Sequence, residues 1–294
     1  MRQILQYIVD AFADRVFQGN PAAVCVLDNW LPEELMQKIA MENNFSETAF
    51  TVREGERWRL RWFTPEKEFD LCGHATLAAA CVLFRFYRPE AEELVFTTLS
   101  GLLTVRRKGG FLEMDFPAYT PVRAEVTGEM TAALGVRPRE AWKARDLLCV
   151  LDREEDVIRL RPDLRAMEAL EGEMCIVTAR GSQFDCVSRC FAPGCSVPED
   201  PVTGSAHCLI APYWAKRLGK TELTARQASA RGGTLLCRLE GDRVFLAGRA
   251  VLYAKSELYV EKNAEIIKSK LEEETHVTPL PRPERAAGNV PQLL

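Results

Sequence analysis

Residues Phe63–Ala80 read FTPEKEFDLCGHATLAAA, and this segment is the clearest guide to the architecture of the chain. Its first half has the polar residues and proline of a loop, and its second half has the alanine-rich composition of a helix. We therefore predict a helix that begins at Gly73. Related residues return later in the chain: Arg61-Trp-Phe-Thr-Pro65 as Arg189-Cys-Phe-Ala-Pro193, and Gly73-His74-Ala75 as Gly204-Ser205-Ala206.

The spacing of these matches predicts a duplicated unit. They lie 128 residues apart at the arginines and 131 at the glycines, so the second copy has gained three residues in the loop between. Within that loop we pair Asp70 with Asp200. Each copy also continues into a predicted β-hairpin, because alternating apolar and polar positions flank the turn signals Gly109-Gly110 and Gly241-Asp242. Ordered matches at nearly one displacement are not expected by chance.

Length and charge fit a duplicated protein. The chain has 294 residues, of which 47% are hydrophobic, and this length suggests two domains. We predict an N-terminal domain of residues 1–117, completed by a returning strand near 249–260, and a C-terminal domain of residues 118–248. Residues 262–294 have no counterpart in the repeat, and we predict that they form a disordered or partly helical tail. The net charge is −4 without a basic cluster, so nucleic acid is not an expected partner.

Composition also indicates a compartment. The first residues, MRQILQYIVDAF, are typical of a strand and not of a signal peptide, and no apolar run reaches membrane-spanning length. Ten cysteines in a long chain without a secretion signal are typical of reduced thiols. We therefore predict a cytoplasmic protein with no membrane partner. No C-x-x-C pair is present, so a structural zinc site is not expected.

One carboxylate is a candidate base. Glu47 falls in a segment, Phe45–Val52, whose composition predicts a strand, and on such a strand it would share a face with Phe45 and Ala49. If both faces are covered, burial would make this carboxylate basic enough to accept a proton. The alternative is an exposed glutamate at a strand edge.

The two predicted helix starts are candidate anion sites. The first backbone N–H groups of a helix have no intrahelical partners, so two facing helix starts could hold a substrate carboxylate. Gly73 and Gly204 would let the ligand approach the backbone. For His74 and Ser205, simple capping roles are the alternative.

Four strings in this order resemble one known family. They are DAFADRVFQGNPAAVCVL, NNFSETAF, FTPEKEFDLCGHATLAAA and EDPVTGSAH, and they are similar to motifs of the phenazine-biosynthesis (PhzF-like) isomerases. The resemblance spans Asp10 to His207, with a matching end near Val260, which is about nine-tenths of the chain. It implies the α+β fold of diaminopimelate epimerase: two similar pseudo-symmetric domains, each a curved mixed sheet around a central helix, with the active site in the cleft between them.

The resemblance also implies an activity and a site. The expected activity is cofactor-independent isomerisation by proton transfer at carbon, on a small carboxylate-bearing metabolite. Glu47 would be the general acid/base, with His74 and Asp200 as further catalytic residues. Gly73, Gly204 and Ser205 would bind the substrate. Neither a metal nor an organic cofactor is expected, and the family suggests a homodimer.

Two residues depart from the epimerase pattern. Diaminopimelate epimerase uses a cysteine just before each helix-start glycine, but here the two positions hold Cys72 and Thr203. A threonine hydroxyl is too weak an acid to replace a thiol, so a symmetric two-thiol racemase is disfavoured. Two alternatives stay open: an amino-acid racemase or epimerase that uses Glu47 with one other group, and a catalytically silent protein that binds small carboxylates.

Overall fold

The structure, a computed structural model, describes residues 2–195 and 197–261. Residues 4–258 form one compact unit that contains every residue of the candidate site. Of the described residues, 2–3 and 259–261 fall outside this unit. The predicted tail, 262–294, lies outside the described residues. The domain boundaries at 117 and 248 stay predictions.

The described residues contain eighteen strands and six α-helices. The strands are β1 (Arg2–Ala11), β2 (Asn20–Leu27), β3 (Thr48–Glu54), β4 (Arg57–Phe63), β5 (Glu68–Phe69), β6 (Glu93–Thr98), β7 (Gly101–Lys108), β8 (Phe111–Pro117), β9 (Val122–Ala124), β10 (Glu140–Lys143), β11 (Leu147–Val150), β12 (Cys175–Arg180), β13 (Cys186–Ala192), β14 (Val197–Asp200), β15 (Glu222–Gln227), β16 (Gly233–Glu240), β17 (Arg243–Gly248) and β18 (Ala250–Val260). The helices are α1 (Glu33–Asn43), α2 (Gly73–Phe86), α3 (Gly128–Leu134), α4 (Glu154–Ile158), α5 (Leu164–Met167) and α6 (Gly204–Leu218), with a 3-10 turn at Pro193–Cys195.

Helices α2 and α6 are the centres of the two halves. Almost every residue of α2 from Gly73 to Phe84 is buried, and α6 is buried from Ala206 to Ala211. A helix that is apolar on all sides must be surrounded by other elements. Strands β2, β3 and β8 contact α2, and β15, β16 and β17 contact α6. The predicted central helices are therefore present, and each begins at the predicted glycine.

A proline inside α6 joins this helix to the preceding segment. Pro212 has no N–H, so it cannot donate to the carbonyl of Cys208 one turn earlier. That carbonyl instead accepts a hydrogen bond of 2.8 Å from the backbone N–H of Tyr119. The proline thus frees an acceptor, which fixes the chain that follows β8.

Strand register reproduces the duplication. In the first half β2 runs parallel to β3, β3 pairs antiparallel with β4, and Thr48 lies opposite Phe63. In the second half β11 runs parallel to β12, β12 pairs antiparallel with β13, and Cys175 lies opposite Phe191. Since Phe63 and Phe191 are matched residues of the repeat, Thr48 and Cys175 occupy equivalent positions. The predicted α+β class with two similar halves is confirmed.

A twin ion pair also follows the repeat. Arg61 holds Glu68 through two hydrogen bonds of 2.7 and 2.6 Å, and Arg189 holds Glu199 in the same way at 2.7 and 2.9 Å. The bidentate geometry is the strong form of this pair. It ties β4 to β5 and β13 to β14.

The pairing of Asp70 with Asp200 is wrong. Phe69 lies opposite Trp62 on β4, and Asp200 lies opposite Cys190 on β13. Because Trp62 and Cys190 are matched, Phe69 occupies the place of Asp200. The three additional residues fall earlier, before β14, where the second half contains its 3-10 turn.

The predicted hairpins are confirmed, and they connect the halves. β7 turns into β8 at Gly109 and Gly110, and β16 turns into β17 at Gly241; all three glycines have positive φ. β8 of the first half then pairs antiparallel with β17 of the second, from Pro117 opposite Arg243 to Leu112 opposite Gly248.

Two observations concern the predicted compartment. No described helix is both long and apolar enough to cross a membrane. All ten cysteines are free thiols, and nine of them are at least partly buried. The cytoplasmic location stays a prediction.

Candidate active site

All six predicted site residues line one cavity of about 200 Å³. They come from both halves, and every one belongs to the compact unit of residues 4–258. The predicted set is Glu47, Gly73, His74, Asp200, Gly204 and Ser205.

The starts of α2 and α6 meet at this cavity. A Cβ built on Gly73 would lie 3.4 Å from the Cα of Gly204, and the reverse distance is also 3.4 Å. Within residues 2–195 and 197–261, no side chain caps the N-terminal end of either helix with a hydrogen bond. The N–H groups of the two first turns are therefore available to an anion, and both helix dipoles favour negative charge there.

Glu47 reaches the cavity from a loop and not from a strand. β3 begins one residue later, at Thr48, so the predicted strand face shared with Phe45 and Ala49 is wrong. Thr48 is held by Asn43, whose side-chain amide donates to the Thr48 hydroxyl at 3.0 Å. The carboxylate is 14% exposed. The end of α1 and the start of β3 thus fix Glu47 as a largely buried acid at the cavity wall.

Glu47 and His74 form a close pair. Nε2 of His74 lies 3.0 Å from Oε2 of Glu47. The contact lacks the alignment of a hydrogen bond, and neither of these two buried atoms has another hydrogen-bond partner among the residues that the structure describes. Burial lowers the pKa of His74, but the neighbouring Cys72 and Glu47 outweigh it, and the pKa is raised well above the ordinary value. Both groups retain bonding capacity toward a ligand.

Asp200 reaches the cavity from the second half. Burial raises its pKa to about 6, and the charge of Glu47 adds to that rise, while His74, Thr203 and Asn20 oppose it. Thr203 donates its hydroxyl to Oδ2 at 2.5 Å, and Gln227 donates to the backbone carbonyl of Asp200 at 2.7 Å. A carboxyl group with this pKa can exchange a proton near neutral pH.

Sequence reasoning missed four residues of the site. Lys67, Arg145 and Met174 line the cavity, and Asn20 bonds to Asp200 behind it. Lys67 lies within the motif FTPEKEFDLCGHATLAAA, so the sequence alone could have indicated it as a residue of the site. Arg145 and Met174 belong to segments where the two copies share no recognisable motif, so no local signal marks them.

Cys72 lies beside His74 but stays a thiol. Its Sγ is 3.5 Å from Nδ1 of His74, and burial, together with the charge of Glu47, raises its pKa to about 11. One ligand atom from each of Glu47, Cys72 and His74 lies within 4.8 Å of the others, so a divalent metal could compete for this trio. The expectation that no metal is required stays a prediction.

The two halves contribute unequal chemistry. Because Thr48 and Cys175 are equivalent, the residue that matches Glu47 is Met174, and both line the cavity. In the same register His74 matches Ser205. The first half therefore supplies the Glu–His pair, and the second half faces it with a thioether and a hydroxyl.

Comparison with known proteins gives one consistent result. Residues 9–256 match the family described as phenazine biosynthesis-like protein. An uncharacterised isomerase of Pseudomonas aeruginosa is 57% identical over 251 residues, which cover 85% of this chain and 96% of the relative. A solved structure from Enterococcus faecalis, a phenazine biosynthesis protein of the PhzF family, is 53% identical with a TM-score of 0.87 and covers 88% of this chain and 100% of its own.

A more distant structure shares the fold alone. A hydroxyproline epimerase from Agrobacterium vitis is 9% identical, with a TM-score of 0.58, and the match covers 90% of this chain and 94% of that one. At this identity the likeness extends to architecture and not to chemistry.

Proposed function

We propose that this chain, which belongs to the phenazine biosynthesis-like protein family and is an isomerase, moves a proton between carbon atoms of its substrate. The proposed substrate is a small metabolite that bears a carboxylate. Glu47 is the general acid/base. The observation that carries the proposal is the 3.0 Å contact between Glu47 and His74 beside two uncapped helix starts. An acid/base and an anion site then share one cavity.

The reaction begins at a carbon next to a carboxylate or carbonyl. The Glu47 carboxylate removes a proton from that carbon, and the electron pair of the broken C–H bond moves into the adjacent C=O group. The N–H groups at the starts of α2 and α6 stabilise the charge that develops on oxygen. The protonated Glu47 then returns the proton to a different carbon of the conjugated system, so the double bond shifts and no atom is gained or lost.

The unequal halves favour one base over two. A two-base racemase needs a second acid on the opposite face of the substrate. Met174 occupies the position equivalent to Glu47 and cannot exchange protons. Thr203 occupies the position equivalent to Cys72. Return of the proton by Glu47 itself is therefore favoured, which supports a double-bond shift.

Racemisation or epimerisation is the second candidate, and one residue favours it. Asp200 lies in the second half with a pKa of about 6, so it could act as the opposing acid. Its carboxylate oxygens are already engaged by Asn20 and Thr203. For this reason we assign Asp200 to orientation and charge balance, and we place the one-base reaction first.

The cavity also limits the substrate. A volume of about 200 Å³ suits a small metabolite. Phe69, Leu71, Met174 and Val197 supply apolar walls, which suit an unsaturated or ring-shaped body. The cavity shares Phe69, Leu71 and Arg145 with an adjoining surface groove of about 770 Å³, and this groove is the proposed route of entry. A homodimer remains part of the proposal by family resemblance, and a cytoplasmic location remains part of it because the cysteine content is typical of reduced thiols.

The test is incorporation of deuterium. A panel of small unsaturated carboxylic acids is screened by thermal shift, and every hit is incubated with the protein in D2O. A moved double bond supports the one-base isomerase, with deuterium at the second carbon only to the extent that protonated Glu47 exchanges with solvent before it returns the proton, while inversion at one carbon supports the epimerase. A panel whose hits bind with neither a moved double bond nor C–H exchange nor inversion favours the silent binding protein and contradicts the proposal.

A further inference from the structure

Three charged residues lie where the cavity opens into the adjoining groove. Lys67, Arg145 and Glu173 line both the cavity of about 200 Å³ and the groove of about 770 Å³. We call these three residues the mouth of the cavity. Glu47 and the glycines that begin α2 and α6 line the cavity and not the groove. The mouth is therefore separate from the place where the proposed proton transfer occurs.

Arg145 has few partners for an arginine that is largely covered. Its side chain is 29% exposed, and Nη2 donates a hydrogen bond of 3.0 Å to Oε2 of Glu173. In the part of the chain that the structure describes, this is its only hydrogen bond. Arg189, by contrast, donates from all three nitrogens, to Glu199 and to two backbone carbonyls. The guanidinium of Arg145 therefore keeps N–H groups that a ligand can use.

Glu173 is a partner that a ligand can replace. Its side chain is 63% exposed, and an ion pair so open to water contributes little to stability. The pair has one hydrogen bond, whereas Arg61 holds Glu68 through two. If Glu173 turns into solvent, the planar guanidinium can hold an incoming carboxylate through two parallel bonds.

Lys67 adds a second positive charge at the mouth. Its backbone is fixed by a turn, since its N–H donates to the Thr64 hydroxyl at 3.0 Å and its carbonyl accepts from the Thr64 N–H at 2.9 Å. The side chain is exposed and forms no ion pair with any residue that the structure describes. Its ammonium group is therefore available to a ligand.

The acids near the mouth do not cancel these two cations. Glu66 and Glu173 are exposed, so water screens the repulsion between them and a ligand carboxylate. Asp146 is buried and follows Arg145 in the chain, but the described residues show no hydrogen bond between the two side chains. A largely covered cation attracts a carboxylate more strongly than solvated acids repel it.

The second half of the repeat shows that the mouth is not a general feature of the fold. By strand register Pro21 matches Arg145, and Pro198 matches Lys67. Neither proline carries a charge. The cations therefore lie on one side of the pseudo-symmetric cavity, and they can fix one orientation of a substrate.

We propose that Arg145, assisted by Lys67, is a specificity-determining residue that binds a second carboxylate, so that the substrate is a small unsaturated dicarboxylate. This inference rests on the proposed function, in which the first carboxylate lies at the starts of α2 and α6. With one carboxylate there and the other at the mouth, the carbon chain between them passes Glu47. Glu173 occupies Arg145 until the second carboxylate displaces it.

Matched pairs of unsaturated acids test the proposal by isothermal titration. The pairs are crotonate and fumarate, pentenoate and glutaconate, and sorbate and muconate; in each pair a carboxylate replaces the terminal methyl group. We expect the dicarboxylate of at least one pair to bind about 10- to 100-fold more tightly than its partner. If no dicarboxylate binds more tightly than its partner, the proposal is overturned. Tighter binding of phosphoenolpyruvate than of every dicarboxylate would assign the mouth to phosphate and overturn the choice of carboxylate.

Variants of the mouth identify the residues that discriminate. Arg145→Gln should weaken binding of the tightest dicarboxylate by about 10- to 100-fold and change binding of its partner by less than about twofold. Lys67→Gln should weaken the dicarboxylate by about 3- to 10-fold, since its ammonium group is more exposed. Glu173→Gln removes the competing carboxylate and should tighten the dicarboxylate by about 2- to 5-fold. Weaker binding by Glu173→Gln would mean that the Arg145–Glu173 pair is structural and would contradict the proposal.

Two further variants control for charge and folding. Arg106→Gln removes an arginine of β7 that pairs with Glu93 outside the cavity, and it should leave the discrimination unchanged. Arg145→Lys keeps the charge without the planar fork and should retain part of the discrimination. If Arg145→Gln does not fold, Arg145→Lys and Glu173→Gln still decide the assignment.

Binding and proton exchange are measured separately, so the two proposals can fail separately. If dicarboxylates bind through Arg145 but no substrate exchanges a C–H proton or moves its double bond in D2O, the mouth binds as proposed and the proposed function fails. If monocarboxylates are isomerised and Arg145→Gln does not change dicarboxylate binding, the proposed function stands and the role of Arg145 is wrong.

Discussion

The backbones of Gly73 and Gly204 lie in close contact at the candidate site, since a Cβ on either glycine would lie 3.4 Å from the Cα of the other. Each glycine begins a central helix. The contact therefore sets the distance between two helix N-termini that bear partial positive charge. Two like dipole ends oppose each other unless a negative group lies between or beside them. The absence of side chains at these two positions is what allows one small anion to contact both.

This contact predicts a strong coupling between two mild substitutions. Gly73→Ala or Gly204→Ala alone adds one methyl group at ordinary contact distance, so each should change the free energy of unfolding by less than about 1 kcal/mol. Together the two methyl groups must share one gap, and the double variant should be less stable than additivity predicts by about 1–3 kcal/mol. Urea unfolding of the four proteins measures this coupling.

The control uses another helix-start glycine. Gly128 begins α3, and a Cβ there meets nothing within 4 Å. Gly73→Ala combined with Gly128→Ala should therefore be additive. An additive result for Gly73 with Gly204 as well would show that the helix starts can move apart.

Acid stability should depend on His207. Burial lowers the pKa of this histidine to about 4, while the unfolded chain titrates near 6.5. Between these values the unfolded state binds the proton and the folded state does not, so the stability contribution is complete above pH 6.5 and is lost as the pH falls toward 4. His207→Asn can still donate to the Thr203 carbonyl but does not titrate. Wild-type protein should lose on the order of 2–3 kcal/mol more than this variant between pH 7 and 4, by urea unfolding. Parallel losses would contradict the assignment.

Asp200 should change the free energy of unfolding with pH in the opposite direction. Its folded-state pKa of about 6 lies above the ordinary 3.8, so the folded state holds the proton more tightly. The contribution of this carboxyl group to the free energy of unfolding is therefore largest below pH 4, and it falls as the pH rises through 6. Asp200→Asn should gain stability relative to the wild type by about 1–3 kcal/mol between pH 4 and 7. A difference that does not change with pH would mean that the carboxylate is fully compensated by Asn20 and Thr203.

The sequence predicted the architecture better than the detail of the site. The two glycine-led helices and both hairpins could be found because helix starts and two-residue turns depend on local chemistry, which a duplication repeats. The pairing of Asp70 with Asp200 failed because residue identity was followed instead of strand register. The register, which the Arg61–Glu68 and Arg189–Glu199 pairs preserve, matches Asp200 with Phe69.

The two other differences have physical causes too. Phe45 to Val52 has strand composition throughout, but the chain must leave α1 before it can enter β3, and Glu47 lies in that connection. Asn20 lies inside the first of the four motif strings, and no local pattern marks it as a residue of the site. Its partners, His74 and Val202, are 54 and 182 residues away, and only the fold brings them together.

The role of Glu47 is the most direct test of the mechanism. Glu47→Gln preserves the shape of the side chain and its place beside His74, so binding of a substrate carboxylate at the helix starts should change by no more than a few-fold. The amide cannot accept a proton from carbon, and exchange of substrate C–H into D2O should fall by about 100- to 10,000-fold, the usual contribution of general acid–base catalysis. Isothermal titration and mass spectrometry measure the two quantities on one preparation. Glu93→Gln, a change of the same kind at an exposed position of β6, where Glu93 pairs with Arg106, should leave both unchanged. If Glu47→Gln exchanged protons at the wild-type rate, the base would lie elsewhere, and Asp200, the acid of the opposing half, would be the next residue to replace.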